Sequence, residues 1–488
     1  MQVLDSSIAN VSIPYIAGNL GVSVDEGTWV ITSFAVSNAI VLPLTGWLSN
    51  YFGSIRLFVS SVLLFTLFSF LCGLCRNLTL LVICRVMQGG VAGSLIPLSQ
   101  SILVSISPHE KRGAVLGLWG AIVIIAPLLG PVLGGYFTEA YSWPWIFYIN
   151  VPVGLASASI TWFLLKDRET PIIRNPIDWV GISLLSLSVA SIQIMLDKGL
   201  DLDWFESDII VTLGLVSAIS FIYFVIWNWF AKYPVVDFSI FRSRNFTLGT
   251  FLLSVGYMIS FAGSLTLPLW LQTQQGYTAF WAGLAIAPVG IIPFLTARII
   301  GSNLYRFDVR KVISLGFIFL SAVFFLQSYF TTQISLEKIM FNRFLQGISN
   351  SIFFLPMVQL ALSEVKPGKY ASASGVLNFI RILVAGGFGT ALSIELWTRL
   401  AIFHHARLSD AMNDGNGVME SLRTSLSSEV SNEVFVRLMD RSVEQQAYML
   451  STNDLSFMAA CLILGLAPIA FLFHRTKSPK DKHVSAEG

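Results

Sequence analysis

A succession of fourteen apolar runs, parted by short polar breaks, constrains this chain more than any other feature. The runs fall at about 1–16, 28–50, 56–75, 78–104, 113–138, 145–165, 177–197, 208–230, 246–271, 279–300, 310–330, 336–361, 370–397 and 454–475. Most approach the roughly 20 residues that a helix needs to cross a bilayer. Composition agrees. Only 12% of the 488 residues are charged, about half the share usual in a soluble domain. The hydrophobic share is 54%, with 37 Phe and 13 Trp, too much apolar surface for a water-facing shell. The expected fold is therefore an all-α polytopic membrane protein with little left over for a soluble domain. A net charge of +2, without a large basic block, argues against a nucleic-acid partner.

Lys and Arg set the expected orientation, because cytoplasmic loops retain them. With the N terminus inside, the inner loops and tail carry eighteen, from Arg56, Lys111 and Arg112 through Lys366 and Lys369 to Lys482. The short outer loops carry three, Arg76, Lys198 and Lys338. Both termini are then cytoplasmic. Residues 398–453 form a long polar segment on the outer face, and Val418, Leu422, Leu426, Val430, Val434 and Leu438 recur there at helical spacing. Amphipathic helices lying on that face are expected. The first run ends near Pro14, short for a span, and no basic segment precedes it, so the first helix reads as incomplete.

The absences narrow the chemistry. No GxxxxGK[ST] phosphate loop is present, so ATP is not the expected energy source. The histidines at 109, 404, 405, 474 and 483 lie in loops, tails or helix ends, and no nucleophile–base constellation suggests an enzyme. Cys72, Cys75, Cys84 and Cys461 lie in apolar runs, and the lone CxxC lacks a second pair for a zinc site. No cofactor or metal is expected, and no cleavable signal peptide is visible.

The chain repeats itself. Arg85, Gln88, Gly89 and Pro97 recur as Arg343, Gln346, Gly347 and Pro356, with the arginines 258 residues apart. The offset aligns the fourth run with the twelfth. It fits two six-helix halves separated by two extra helices, the sequence mark of a secondary transporter with its substrate site between the halves. The expected divisions are 1–165, an insert at 166–235, 236–476 with its outer loop, and a tail at 477–488.

Charge inside a bilayer costs about 2.5–3.5 kcal/mol per group at a helix centre, so buried charges mark function. Asp5 is the acid expected well within a span, and Arg85, Arg343 and Arg381 are the interior cations, with Arg298 near a helix end. An acid able to gain and lose a proton there suits proton coupling; a static ion pair is the plainer reading. Arg85 is either a structural anchor or part of the relay. Gly89/Gly93, Gly113/Gly117 and Gly130/Gly134 are spaced for close helix approach. Pro127, Gly130, Pro131, Gly134 and Gly135 make the fifth run kinked and tightly packed, as a rocking joint or seal requires. Asn38, Gln100, Trp119, Tyr257, Gln346, Gln359 and Asn378 are candidates to line a cavity.

Five motifs, in order, carry a resemblance. They are Leu4–Pro14 around Asp5; Gly46 to Arg56, with Asn50 and Gly53; Arg85-x-x-Gln88-Gly89; Gly130-Pro131-x-x-Gly134-Gly135; and Trp145–Gly154. With them the chain resembles the major facilitator superfamily, and within it the fourteen-helix drug:proton antiporters of the EmrB/QacA type, over essentially its whole length. The resemblance implies proton-driven export of hydrophobic or amphipathic drugs across a bacterial inner membrane. It ties Asp5 and Arg85 to the proton, and Gly46, Asn50, Gly53, Arg56 and the Gly130–Gly135 motif to conformational change. It also implies a periplasmic adaptor and an outer-membrane channel as partners. Asn50 stands where the family usually has Asp, and the chain begins inside the first motif. The alternatives are an importer of a small nutrient and a non-transporting membrane scaffold.

Overall fold

A computed structural model describes residues 1–108, 111–173, 176–303, 307–411, 421 and 432–474. Every regular element among them is helical. Besides short turns such as Val24–Gly27 and Trp145–Tyr148, the fourteen longer helices in chain order are α1 (Gln2–Leu20), α2 (Trp29–Val41 and Thr45–Phe52), α3 (Ser54–Leu74), α4 (Leu78–Ala92 and Leu95–Ile106), α5 (Arg112–Ala140), α6 (Asn150–Leu165), α7 (Trp179–Lys198), α8 (Asp208–Phe230), α9 (Arg244–Thr273), α10 (Ala279–Ile286 and Pro288–Asn303), α11 (Val309–Gln327), α12 (Leu336–Leu362), α13 (Tyr370–Ile382, a π-turn Leu383–Gly389, and Thr390–Ala411) and α14 (Asn432–Leu466).

Each of the fourteen apolar runs is thus helical. Among the described residues ten helices are long and apolar enough to cross a membrane, or eleven with α2, whose two segments meet at 64°, taken as one span. The runs that form α1, α5 and α10 fall outside that count. Pro14 does not end α1, which continues to Leu20 and stops at Gly21, whose φ of 68° the chain can adopt there because glycine has no Cβ.

Burial separates the helices that build the interior from those that face lipid. The apolar stretch of α12 is 78% buried, whereas those of α6 and α8 are 17% and 22% buried. Their exposed Phe163, Leu164, Trp229 and Phe230 are stable only against hydrocarbon. In the first part of the chain α1 packs along α5, α2 along α4, and α3 against α4 and α6. In the last part α10 and α11 pack on α12, α9 on α12 and α13, and α13 on α14. The parts meet along α5 and α10, and where α13 crosses α2 and α4. The pair α7–α8 lies alongside, with α7 touching both α2 and the π-turn of α13.

The long polar segment differs from its expectation. Residues up to Ala411 extend α13 and those from Asn432 lead into α14, so the described parts are continuations of spans rather than separate surface helices. The Trp397 indole donates to Thr452 at 2.9 Å and His404 pairs with Asp454 at 2.7 Å across the two extensions. Val434 and Leu438 are exposed. Val418, Leu422, Leu426 and Val430 lie outside the described residues, as does the tail 477–488.

The link from α2 to α3 is the Gly46–Arg56 motif. Gly53 has φ 89°, and the Glu169 carboxylate sits 2.6 Å from where its Cβ would be. That carboxylate accepts from the backbone N–H groups of Ile55 and Arg56, both at 2.9 Å, and so caps α3. The Ile173 N–H donates to the Asn50 carbonyl at 2.8 Å. Arg56 lies 3.9 Å from Glu169 and is largely exposed. Gly53→Ala therefore meets both a strained φ and the carboxylate. A loss of about 1–3 kcal/mol is expected as a lower Tm in detergent, and an unchanged Tm would refute this account of the motif.

Candidate functional site

The helix packing of the first part brings Asp5 and Arg85 together inside the bundle. Asp5, on α1, is 2% exposed and Arg85, on α4, is fully buried. Arg85 Nη1 lies 2.5 Å from Asp5 Oδ2. The other carboxylate oxygen accepts from Asn150 Nδ2 at 2.7 Å and Gln88 Nε2 at 3.3 Å. Asn150 opens α6 and also donates to Ser69 of α3 at 3.0 Å. Arg85 Nε donates to the Val30 carbonyl of α2 at 2.9 Å, and Nη1 also to Gln88 Oε1 at 2.8 Å. Its guanidinium lies 4.2 Å from the Phe34 ring centroid. Five helices therefore converge on a single ion pair, and any change in that pair's charge is felt by all of them.

The glycines of the motifs permit these approaches. Along α5 a Cβ at Gly130 would fall on Ser7 of α1, and one at Gly134 would come within 3.2 Å of the Ile8 carbonyl. Gly135 has open space, and Pro131 lies within the same helix. Gly89 and Gly93 bring α4 against α2 in the same way. At the end of the bundle that carries the Gly46–Arg56 motif, Gly46 meets Ser372 of α13, and Gly375 meets the Leu42 carbonyl.

The cavity candidates separate into three settings. Gln100 of α4 accepts from Asn378 of α13 at 2.9 Å and bonds Ser374, so these residues span the seam between the two parts. Tyr257 of α9 joins them through Arg381, whose guanidinium is 4.7 Å from its ring centroid. Gln346 is instead enclosed in the last part, donating to Ser260 at 3.3 Å beside Arg343, which bonds Gln327 and Asn342. Asn38 backs onto Gly93, and the Trp119 indole donates to Ser99 at 2.9 Å. Gln359 is half-buried on α12. The side chain of Arg298 lies outside the described residues.

The sequence profile of the Major Facilitator Superfamily matches residues 1–390. The chain belongs to that superfamily. As a member it is a secondary transporter and a multi-pass membrane protein, not an enzyme. It is 41% identical to the fatty acid resistance protein FarB of Neisseria gonorrhoeae over 97% of this chain and 93% of that one. It is 42% identical to the multidrug export protein EmrB of Escherichia coli K12 over 96% and 91%. A solved bacterial homologue of the human lysosomal transporter Spinster superposes with a TM-score of 0.53 at 15% identity, over 98% of this chain and 96% of that one, and so shares the superfamily fold.

Within this superfamily chain, the Asp5 shell contains groups that sequence reasoning did not assign. Asn150 and Gln88 stood in quoted motifs without a role, and a polar residue kept inside an apolar run was their signal. Ser69 gave none. Glu169 carries no sequence signal, because its partners are backbone N–H groups 113 and 114 positions away.

Proposed function

We propose that the protein is a proton-coupled exporter of hydrophobic or amphipathic compounds. The enclosed Asp5–Arg85 pair is the observation that carries this reading. The relatives named for multidrug export and fatty acid resistance support the direction of transport. Asp5 exchanges the proton, and Arg85, Gln88 and Asn150 are the partners it leaves when protonated. The carboxyl is closed to solvent here, so proton exchange requires the bundle to open around it. Export then alternates between openings at its two ends, with the motif-bearing contacts of α2, α4 and α13 as one gate. The halves are residues 1–165 and 236–476, with 166–235 as the insert. A membrane potential supplies about 2.3 kcal/mol per charge per 100 mV, and one proton then sustains roughly a fifty-fold gradient of a neutral compound.

The motif-bearing end lies in the cytoplasm of a bacterial inner membrane, together with both termini. The 398–453 segment faces the periplasm, where an adaptor and an outer-membrane channel continue the route. Inside-out vesicles containing the protein should accumulate a lipophilic dye, neutral or carboxylated, when a proton gradient is imposed, and an uncoupler should abolish this. Accumulation indifferent to the uncoupler would overturn proton coupling. Dye movement in the opposite sense would favour the importer.

A further inference from the structure

Three interior arginines hold different company. Arg85 has Asp5. Among the described residues neither Arg343 nor Arg381 has an acidic partner. Arg343 is sealed within the last part of the chain, whereas Arg381 lies on the seam. It is 3% exposed, with Nη2 donating to Asn378 Oδ1 at 3.0 Å. Asn378 in turn donates to Gln100 on the opposite side of the seam. Arg381 Nε and Gln100 Nε2 are both buried and have no partner. One hydrogen-bonded chain therefore carries two unused donors and an uncompensated positive charge. The Tyr257 and Phe354 rings flank the guanidinium at 4.7 and 5.8 Å. Phe354 approaches Gly120 of α5, 3.0 Å from where its Cβ would be, so the aromatic wall also reaches across the seam.

A buried cation without a counter-ion is costly, and donors left unused in the same network add to the cost. A carboxylate removes both penalties. It brings the missing charge and accepts from a planar guanidinium in two parallel bonds. Its apolar remainder packs on Tyr257 and Phe354. We propose that Arg381, with Gln100, receives the carboxylate head group of an amphipathic substrate at the seam. The proposal deepens the export reading by assigning a substrate class and a specificity-determining residue.

Binding of dansyl-labelled undecanoate and of its methyl ester to the purified full chain tests this without any proton gradient. A failure of gradient-driven export in vesicles would thus overturn the export reading alone. The protein should prefer the acid to the ester. Arg381→Gln should weaken the acid by at least about ten-fold and leave the ester unchanged. Arg381→Lys should fall between, because an ammonium keeps the charge but not the planar fork. Asn378→Asp supplies an internal carboxylate to Arg381 and should exclude the acid in a protein that keeps the guanidinium and gains its missing counter-charge, which guards against misfolding of the first variant. Equal weakening of acid and ester, or no change in either, would overturn the proposal. Displacement of the probe by dodecanoate alone assigns an acyl substrate, and displacement by naphthoate as well assigns carboxylates generally. Displacement by neither would mean that the label drives binding, and would also overturn it.

Discussion

Asp5→Asn is expected to reduce gradient-driven accumulation from about fifty-fold per 100 mV to unity. Asparagine fills nearly the same volume and retains one acceptor oxygen, but it cannot carry a proton between the two faces. The substitution also strips Arg85 of its counter-ion. Removing one partner of a buried pair costs about 3–5 kcal/mol, so lost transport alone would not separate coupling from folding. Two further measurements do. Exchange of labelled for unlabelled drug needs no net proton movement and should persist in Asp5→Asn. The double variant Asp5→Asn with Arg85→Gln removes the stranded charge and should recover Tm without recovering accumulation. If accumulation survives in Asp5→Asn, Asp5 is not the coupling group and the ion pair is a structural tie. If exchange disappears along with accumulation, even in the stabilised double variant, the pair governs conformational change rather than the proton.

The features legible in sequence were those set by local physics. Apolar runs of spanning length predict helices because a helix satisfies every backbone group within its own segment, whereas barrel strands are shorter and alternate, and all fourteen are helical. Asp5 and Arg85 stood out because charge is rare in such runs. Their partnership was not legible, since 80 positions separate them and only helix packing closes that distance. The repeat illustrates the same limit. Gln88 and Gln346 occupy matching positions, yet one bonds the Asp5 carboxylate and the other Ser260 of α9, a helix whose sequence contains no acid. Gln100 and Gln346 looked alike as cavity candidates. One crosses the seam and the other is internal to its half, a distinction that depends on which helix face meets which neighbour. Val434 and Leu438, the two described residues of the long polar segment's helical pattern, fall in the exposed extension of α14, where helical spacing is the same as in a surface helix.

Gly46→Ala should weaken transport by preventing closure at the motif-bearing end, and Ser372→Gly should partly restore it. A Cβ at Gly46 would lie 2.5 Å from the Ser372 Cβ and 2.6 Å from its Cα. The first contact vanishes when residue 372 is glycine; the second is backbone and remains, so rescue is incomplete. Ser372 belongs to α13 and Gly46 to α2, which makes the effect a property of the seam between the first and last parts of the chain and not of either part. Nearby, a Cβ at Gly375 would come within 2.8 Å of the Leu42 carbonyl, so α2 and α13 meet here at backbone distance and cannot absorb an extra methyl by a rotamer change. The pair should show a coupling energy of about 0.5–3 kcal/mol in a double-mutant cycle, and each 1.4 kcal/mol shifts a two-state equilibrium about ten-fold. Nitroxide labels at the exposed Arg56 and Lys366 should report it directly, with longer separations in Gly46→Ala and a return toward the parent distribution in the double variant. Additive effects of the two substitutions, or an unchanged distance distribution, would mean that this contact does not gate. The absence of an acid at position 50 then has a physical consequence. A gate that closes on backbone contact, on the uncharged Gln100–Asn378 bond and on the contact of Arg112 with the neutral Tyr370 should depend only weakly on ionic strength, because none of the three pairs opposite charges.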